Sequence, residues 1–306
     1  MLVIGSRGSQ LALWQAKWIA ERLAGRGQET RIEIIKTTGD KITDVPLAKV
    51  GTKGLFTKEI EEALLDGRID LAVHSLKDLP TEVPSGLDIA AIPEREDPRD
   101  ALVGATLKNL TAGAKIGTSS LRRAAQLRVI RKDLRIESVR GNLDTRVRKL
   151  DEGQYDAIVL ASAGLTRLGW AHRIAEILPP EMMCPAVGQG ALAVETRTDG
   201  LAHDICGELD DATTRAAITA ERAVLASLGG GCQVPIGAHA QVSGMTVQLI
   251  AVVISPDGEQ VVRSSDQGAV AEAESLGRSV GAALLAAGAR EILEHVYGAP
   301  VRDSAV

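Results

Sequence analysis

The chain has 306 residues, 45% of them hydrophobic, which is ample for a sizeable core but long for a single one, since cores stop growing near about 250–300 residues. A formal net charge of -5 sets the molecule as a whole against nucleic acid and anionic membrane, and 2% aromatics leave no platform for stacking bases, so any anion site must be a local concentration of Lys and Arg. No apolar run approaches the ~20 residues of a membrane span, and Leu2-Val3-Ile4 opens the chain without the basic region, long apolar stretch and cleavage site of a signal peptide; a cytoplasmic protein without membrane or nucleic-acid partners is expected.

Leu2-Val3-Ile4 reads as a strand that turns at Gly5, followed by a helix capped near Ser9 that runs through Leu11, Trp14 and Trp18 to a stop at Gly25. Ile116-Gly117-Thr118-Ser119-Ser120 repeats this strand-to-helix junction, with a helix starting near Ser120. A second pair reinforces the symmetry: Gly67-Arg68-Ile69-Asp70-Leu71-Ala72-Val73 and Gly153-Gln154-Tyr155-Asp156-Ala157-Ile158-Val159 are both helix-ending glycines followed by a buried strand. The repeated order predicts two α/β lobes with parallel-rich sheets, the first enlarged by a loop from Thr37 to Phe56. Ligands of such lobes sit outside the carboxyl ends of the strands, and facing lobes would enclose one cleft.

Pro93-Glu94-Arg95-Glu96-Asp97-Pro98 reads as the first crossing between lobes and Cys184-Pro185-Ala186-Val187-Gly188-Gln189-Gly190 as the return, which makes the hinge double. From about Ala212 the pattern changes to a helix capped near Thr213 and carrying Ile218, Leu225 and Leu228, then strands around a Pro256-Asp257-Gly258 turn, then a last helix bearing Leu276, Val280 and Leu284. The expected architecture is two periplasmic-binding-protein-like α/β lobes, residues 1–93 plus 190–210 and residues 97–185, and a small α+β domain over 212–306.

Several residue groups carry chemistry. Cys184, Cys206 and Cys232 are an odd number without CxxC or Cys/His spacing, so neither a disulfide nor a metal site is expected. Cys232 stands apart on the loop Gly229-Gly230-Gly231-Cys232-Gln233-Val234-Pro235, where an accessible thiol can serve as a nucleophile or attachment point, while Cys184 and Cys206 read as inert. Between Arg122 and Lys149 basic residues outnumber acidic ones; Arg128, Arg131, Lys132 and Arg135 read as a solvated helix face. Arg122 and Arg123 differ because they occupy the first turn of a helix beside Thr118, Ser119 and Ser120, where free backbone N–H groups favour an anion. Arg7 and Ser9 hold the matching place in the first lobe. His74-Ser75-Leu76-Lys77-Asp78-Leu79-Pro80 follows a strand and places Lys77 beside Asp78 where functional loops gather; the carboxylate could move a proton or steady a cation, and His74 reads as a structural histidine.

In order along nearly the whole chain, Arg7-Gly8-Ser9-Gln10-Leu11-Ala12, Lys53-Gly54-Leu55-Phe56, His74 to Pro80, Gly117-Thr118-Ser119-Ser120-Leu121-Arg122-Arg123, Val139-Arg140-Gly141-Asn142, Thr145-Arg146, Pro185-Ala186-Val187-Gly188-Gln189-Gly190-Ala191 and Gly230 to Pro235 resemble the porphobilinogen deaminase family. The resemblance implies a transferase that deaminates porphobilinogen and condenses four molecules onto a dipyrromethane cofactor held by Cys232 through a thioether, releasing hydroxymethylbilane. It implies that Lys77, Asp78, Thr118, Ser119, Ser120, Arg122, Arg123 and Arg146 bind the cofactor, and that Arg7, Ser9, Gln15, Phe56, Arg140, Asn142, Arg167 and Gln189 face the substrate. Asp78 matches the catalytic aspartate, and the loop Thr38 to Phe56, with Lys49 and Lys53, matches a lid. A solute receptor of the same lobed architecture is the rival reading, against which stand the Lys77-Asp78 pair and the third domain bearing Cys232. Without an obvious exposed apolar stripe, a monomer is expected.

Overall fold

The computed structural model describes residues 1–41, 57–230, 234–298 and 301. The chain forms two compact units, Met1–Glu96 with Gly190–Arg215, and Asp97–Gln189 with Ala216–Val306. It therefore passes from one to the other at 96/97, 189/190 and 215/216.

The first unit begins β1 (Leu2–Ser6), α1 (Gln10–Ala24), β2 (Thr30–Ile34), α2 (Thr38–Lys41), α3 (Lys58–Leu65), β3 (Leu71–Ser75), a 3-10 turn at Leu76–Asp78, and β4 (Leu87–Ala91). The second continues β5 (Asp100–Val103), β6 (Lys115–Gly117), α4 (Leu121–Ile130), β7 (Arg135–Glu137), α5 (Leu143–Asp151), β8 (Ala157–Ala161), α6 (Ser162–Arg167) and β9 (Ile174–Leu178). The chain then returns through β10 (Leu192–Arg197) and α7 (Leu201–Gly207), and α8 (Ala212–Ser227) leads to β11 (Ile236–Ser243), β12 (Thr246–Ile254), β13 (Val261–Ala269), α9 (Ala273–Leu284) and α10 (Arg290–Tyr297).

Both lobe sheets have one topology. Their strand orders are β2-β1-β3-β10-β4 and β7-β6-β8-β5-β9. In each, the first three strands run parallel, whereas β10 is antiparallel to β3 and β4, and β5 is antiparallel to β8 and β9. Four of the five strands in each sheet therefore point one way, as the parallel-rich expectation has it, and β10 and β5 run against them because they follow the passages between units instead of a helical crossover within their own lobe. The two strand-to-helix junctions are built alike. Ser9 has extended backbone and its hydroxyl accepts from Ala12 N at 3.2 Å; Ser120 does the same for Arg123 N at 3.4 Å. The glycine before each cap lets neighbouring strands close up: a Cβ on Gly5 would lie 2.3 Å from Ile69 Cδ1, and one on Gly117 would lie 2.8 Å from Ile158 Cγ2.

Alternation along the strands fills both faces of each sheet. In the first unit Ile4, Ile19, Leu23, Leu71 and Val194 form one core and Ile35, Ile60, Leu64, Ile69 and Ala72 the other. In the second, Leu102, Ile116, Leu127 and Val159 lie on one side and Ala101, Val103, Ile158 and Leu160 on the other. Each fully buried Leu or Ile contributes about 1.5–3 kcal/mol.

The C-terminal antiparallel sheet, β11-β12-β13, carries α8 and α9 over a core of Val224, Leu228, Ile236, Val247, Leu249, Leu276, Val280 and Leu284. A small apolar cluster of Ala125, Cys184, Val252 and Ile254 joins this sheet to α4, so both belong to one compact unit. Two sequence expectations change here. The cap of α8 is Asp211, whose carboxylate accepts from Thr214 N at 2.7 Å, not Thr213. The helix bearing Leu276, Val280 and Leu284 is not the last; after a break at Gly288, α10 follows.

Candidate functional site

In the first unit β3 is fully buried at Leu71 and Ala72 and leaves the sheet at Ser75. Leu76 and Leu79, 1% and 3% exposed, plug the turn into the core from both ends, with Leu79 N donating to Leu76 O at 3.1 Å and Leu76 N donating to Ala191 O at 3.0 Å. Between these anchors the backbone has to turn outward, which leaves Asp78 exposed and Lys77 half-buried at the carboxyl end of β3. Gln15 of α1 is buried and donates its amide to Ser75 Oγ at 2.9 Å, tying the helix capped by Ser9 to the strand that delivers Lys77 and Asp78. Arg7 is half-buried in the β1–α1 junction.

Beneath the turn, His74 Nε2 lies 3.0 Å from Glu195 Oε2. Both side chains are buried, which agrees with the structural reading of His74, while Glu195 Oε1 has no hydrogen-bond partner among the described residues. Burial also raises the half-buried Glu61 carboxyl of α3 above its ordinary range, with the nearby Glu195 charge adding to the effect.

In the second unit Arg122 and Arg123 enter the first turn of α4, as expected, but their guanidiniums are buried against Asp100 on β5. Arg122 Nη1 donates to Asp100 Oδ2 at 2.7 Å, and Arg123 donates to Oδ1 through Nε at 3.0 Å and Nη2 at 2.7 Å. Asp100 is 0% exposed. Burial alone would raise its carboxyl, but the two guanidiniums outweigh burial and hold it well below the usual carboxylate range. Gln189, also 0% exposed, donates to Pro98 O at 2.7 Å and to Asp100 Oδ1 at 2.8 Å. Its amide thus belongs to the arginine cluster. One carboxylate facing two guanidiniums leaves a net positive charge, and among the described residues the buried Nε of Arg122 has no hydrogen-bond partner. A ligand rich in carboxylates suits such a donor set.

The remaining basic residues surround the β7–α5 junction. Ser119 Oγ donates to Val139 O at 2.6 Å, Arg146 Nε donates to Gly141 O at 2.8 Å, and Lys149 Nζ donates to Arg140 O at 3.3 Å. These bonds hold the segment with half-buried Arg140 and exposed Asn142 against the helix. Gly141 takes φ +107°, a conformation that side chains rarely adopt, and a Cβ there would meet Thr145 at 2.6 Å. Thr118 is buried at the end of β6 and Arg167 is 9% exposed at the end of α6. The reading of Arg128 and Arg131 as solvated changes: Arg128 Nη1 donates to Pro256 O at 2.7 Å, and Arg131 Nη1 donates to Leu107 O at 2.7 Å, so both pin neighbouring loops. Burial pushes the Cys184 and Cys206 thiols up to about 12, in keeping with inert roles.

Cys232 and residues 42–56 of the expected lid, with Lys49, Lys53 and Phe56, lie outside the described residues, while the start of that segment forms α2 (Thr38–Lys41). Asp100, Glu195 and Ser75 escaped the sequence reading. The available signal was a single carboxylate inside an otherwise apolar strand, as in Asp100-Ala101-Leu102-Val103 and Leu192-Ala193-Val194-Glu195. Among the described residues no group of three His, Cys, Asp or Glu side chains could hold a metal ion, and no helix is long and apolar enough to cross a membrane.

Comparison with known proteins adds the family. Residues 2–203 match the porphobilinogen deaminase dipyromethane cofactor binding domain and residues 215–286 the porphobilinogen deaminase C-terminal domain. The chain is 51% identical to the porphobilinogen deaminase of Syntrophobacter fumaroxidans, over 97% of this chain and 98% of that one. It is 53% identical to the porphobilinogen deaminase of Geobacter sulfurreducens, over 97% and 95%. Among solved structures, an ABC transporter periplasmic substrate-binding protein from Coxiella burnetii shares 14% identity at a TM-score of 0.44, over 68% of this chain and 92% of that one. The matched domains and the relatives agree over nearly the full length: the chain belongs to the porphobilinogen deaminase family.

Proposed function

We propose that Asp78 is the catalytic residue with which this chain deaminates porphobilinogen and joins four molecules head-to-tail, releasing the linear tetrapyrrole hydroxymethylbilane. The observation that carries the reading is the turn at Leu76–Asp78, which is anchored by two buried leucines and offers one exposed carboxylate at a strand end. An ionised carboxylate there can accept a hydrogen bond from a pyrrole N–H. It also opposes the positive charge that develops on the substrate ring as ammonia departs, a stabilisation that grows as water is excluded.

The dipyrromethane cofactor, when bound, supplies the pyrrole carbon to which the growing chain is joined. On this reading Cys232 anchors it by a thioether, and Lys77, Thr118, Ser119, Ser120, Arg122, Arg123 and Arg146 hold its acid arms, with Asp78 against its ring nitrogens. Arg7, Ser9, Gln15, Phe56, Arg140, Asn142 and Arg167 take up the acids and ring of incoming substrate. Arg122 Nε, unpartnered among the described residues, and the net charge of its cluster support the fit, because every pyrrole of the substrate brings carboxylates. The functional division is residues 1–93 plus 190–210, 97–185 and 212–306, and the protein works as a metal-free cytoplasmic monomer.

Intact-mass measurement after incubation with porphobilinogen tests the assignment. The expected result is a chain heavier than its sequence by the covalent pyrroles, with Cys232→Ser carrying none. An unmodified wild-type mass and no release of ammonia would count decisively against it.

A further inference from the structure

We infer that Asp100 and Gln189 are positioning residues that orient the guanidiniums of Arg122 and Arg123 and cancel one of their two charges, so that the pair accepts a single further carboxylate. The inference rests on the reading that Arg122 and Arg123 hold cofactor acids, and it names what makes them selective. Each guanidinium is pinned by partners of this chain. Arg122 Nη1 also donates to Cys184 O at 2.6 Å, Arg123 Nη1 donates to Val159 O at 3.1 Å, and the Nη2 atoms lie 3.5 and 3.4 Å from Gln189 Oε1. Among the described residues the cluster is short of one anion, because two buried cations share one carboxylate. Among the same residues it is also short of one acceptor, at Arg122 Nε. An uncompensated buried charge and a buried donor without a partner are both unfavourable, and one incoming carboxylate relieves both. Without Asp100 the two cations would repel each other and demand two anions; with a second fixed carboxylate they would demand none.

Asp100→Asn keeps the shape and removes the charge. The expected result is a chain with unchanged far-UV circular dichroism whose fraction of covalently loaded cofactor, read by intact mass, falls at least about tenfold. In Asp100→Ala, acetate added during loading should restore the loaded fraction while acetamide at the same concentration should not, a difference that a merely space-filling role would not produce. Normal loading of Asp100→Asn, or equal failure of acetate and acetamide, overturns the inference. Gln189→Ala leaves both ion pairs in place but frees the guanidiniums to turn, and is expected to lower loading roughly threefold; unchanged loading overturns the part given to Gln189. A double Arg122→Gln, Arg123→Gln variant separates the two levels. If it loads like the wild type, the cofactor reading of these arginines fails; if it does not load while the Asp100 variants do, only the present inference fails.

Discussion

The two lobe sheets place a buried carboxylate on corresponding strands and give it opposite company. Glu195 on β10 meets His74 on the adjacent strand, whereas Asp100 on β5 meets two arginines and a glutamine. The chain leaving the next strand also differs: after β3 it makes a tight turn bearing Lys77 and Asp78, and after β8 it continues into a helix that ends in Arg167. One scaffold thus carries two chemistries. The first lobe buries a compact pair beneath an exposed carboxylate, while in the second, among the described residues, two guanidiniums share one buried carboxylate. The topology decides where a polar group can sit, and the side chains decide whether that place presents a carboxylate or a cluster of guanidiniums.

The sharpest test of this division is turnover. Asp78→Ala should lower kcat by about a hundredfold or more while the protein stays folded and cofactor-loaded, whereas Arg167→Ala should act mainly by raising KM. Equal losses of kcat would erase the distinction between the turn after β3 and the helix after β8. The next effect is on stability. Asp100→Asn strands two buried cations and should cost about 3–5 kcal/mol in urea denaturation, against about 1–2 kcal/mol for Glu195→Gln, which keeps an acceptor near His74. A reversed order would show that the arginine cluster is not the more strongly charged of the two.

The pH dependence of the larger effect has a definite sign. The folded-state value of Asp100 is depressed, so its contribution is complete above the ordinary carboxylate value of about 3.9 and is lost as pH falls through the lower folded value. The gap between wild type and Asp100→Asn should therefore be unchanged between pH 7 and pH 5 and shrink only in stronger acid; a gap that closes between pH 7 and pH 5 would contradict the ion-pair account. A smaller effect is expected at Gln15→Ala, about 1 kcal/mol through the lost bond to Ser75. Least of all, iodoacetamide at pH 8 should leave Cys184 and Cys206 of the native protein unlabelled, because burial keeps both thiols protonated.

Much of the scaffold was legible from local pattern. Apolar runs, a serine cap at Ser9 or Ser120 and a glycine where a strand closes on its neighbour are short-range signals, and the same order appearing twice disclosed the two lobes. Strand direction was less legible: nothing near Leu192 or Asp100 announces that these strands enter their sheets antiparallel, since that depends on the passages between units. Arg128 and Arg131 were read as solvated because a charged helix face usually is; the carbonyls that hold them come from distant loops.

By itself the sequence determined the order of elements, the Lys77-Asp78 turn at a strand end, the concentration of arginine after Ser120 and the family to which these belong. Only the tertiary structure decided that Arg122 and Arg123 share a buried carboxylate, that Gln189 closes that cluster, and that His74 is held by Glu195. The reason is physical: caps, turns and periodicity act over a few residues along the chain, whereas a buried charge finds its partner across 22 residues at Arg122 and 121 at His74, a pairing that exists only once packing has excluded water.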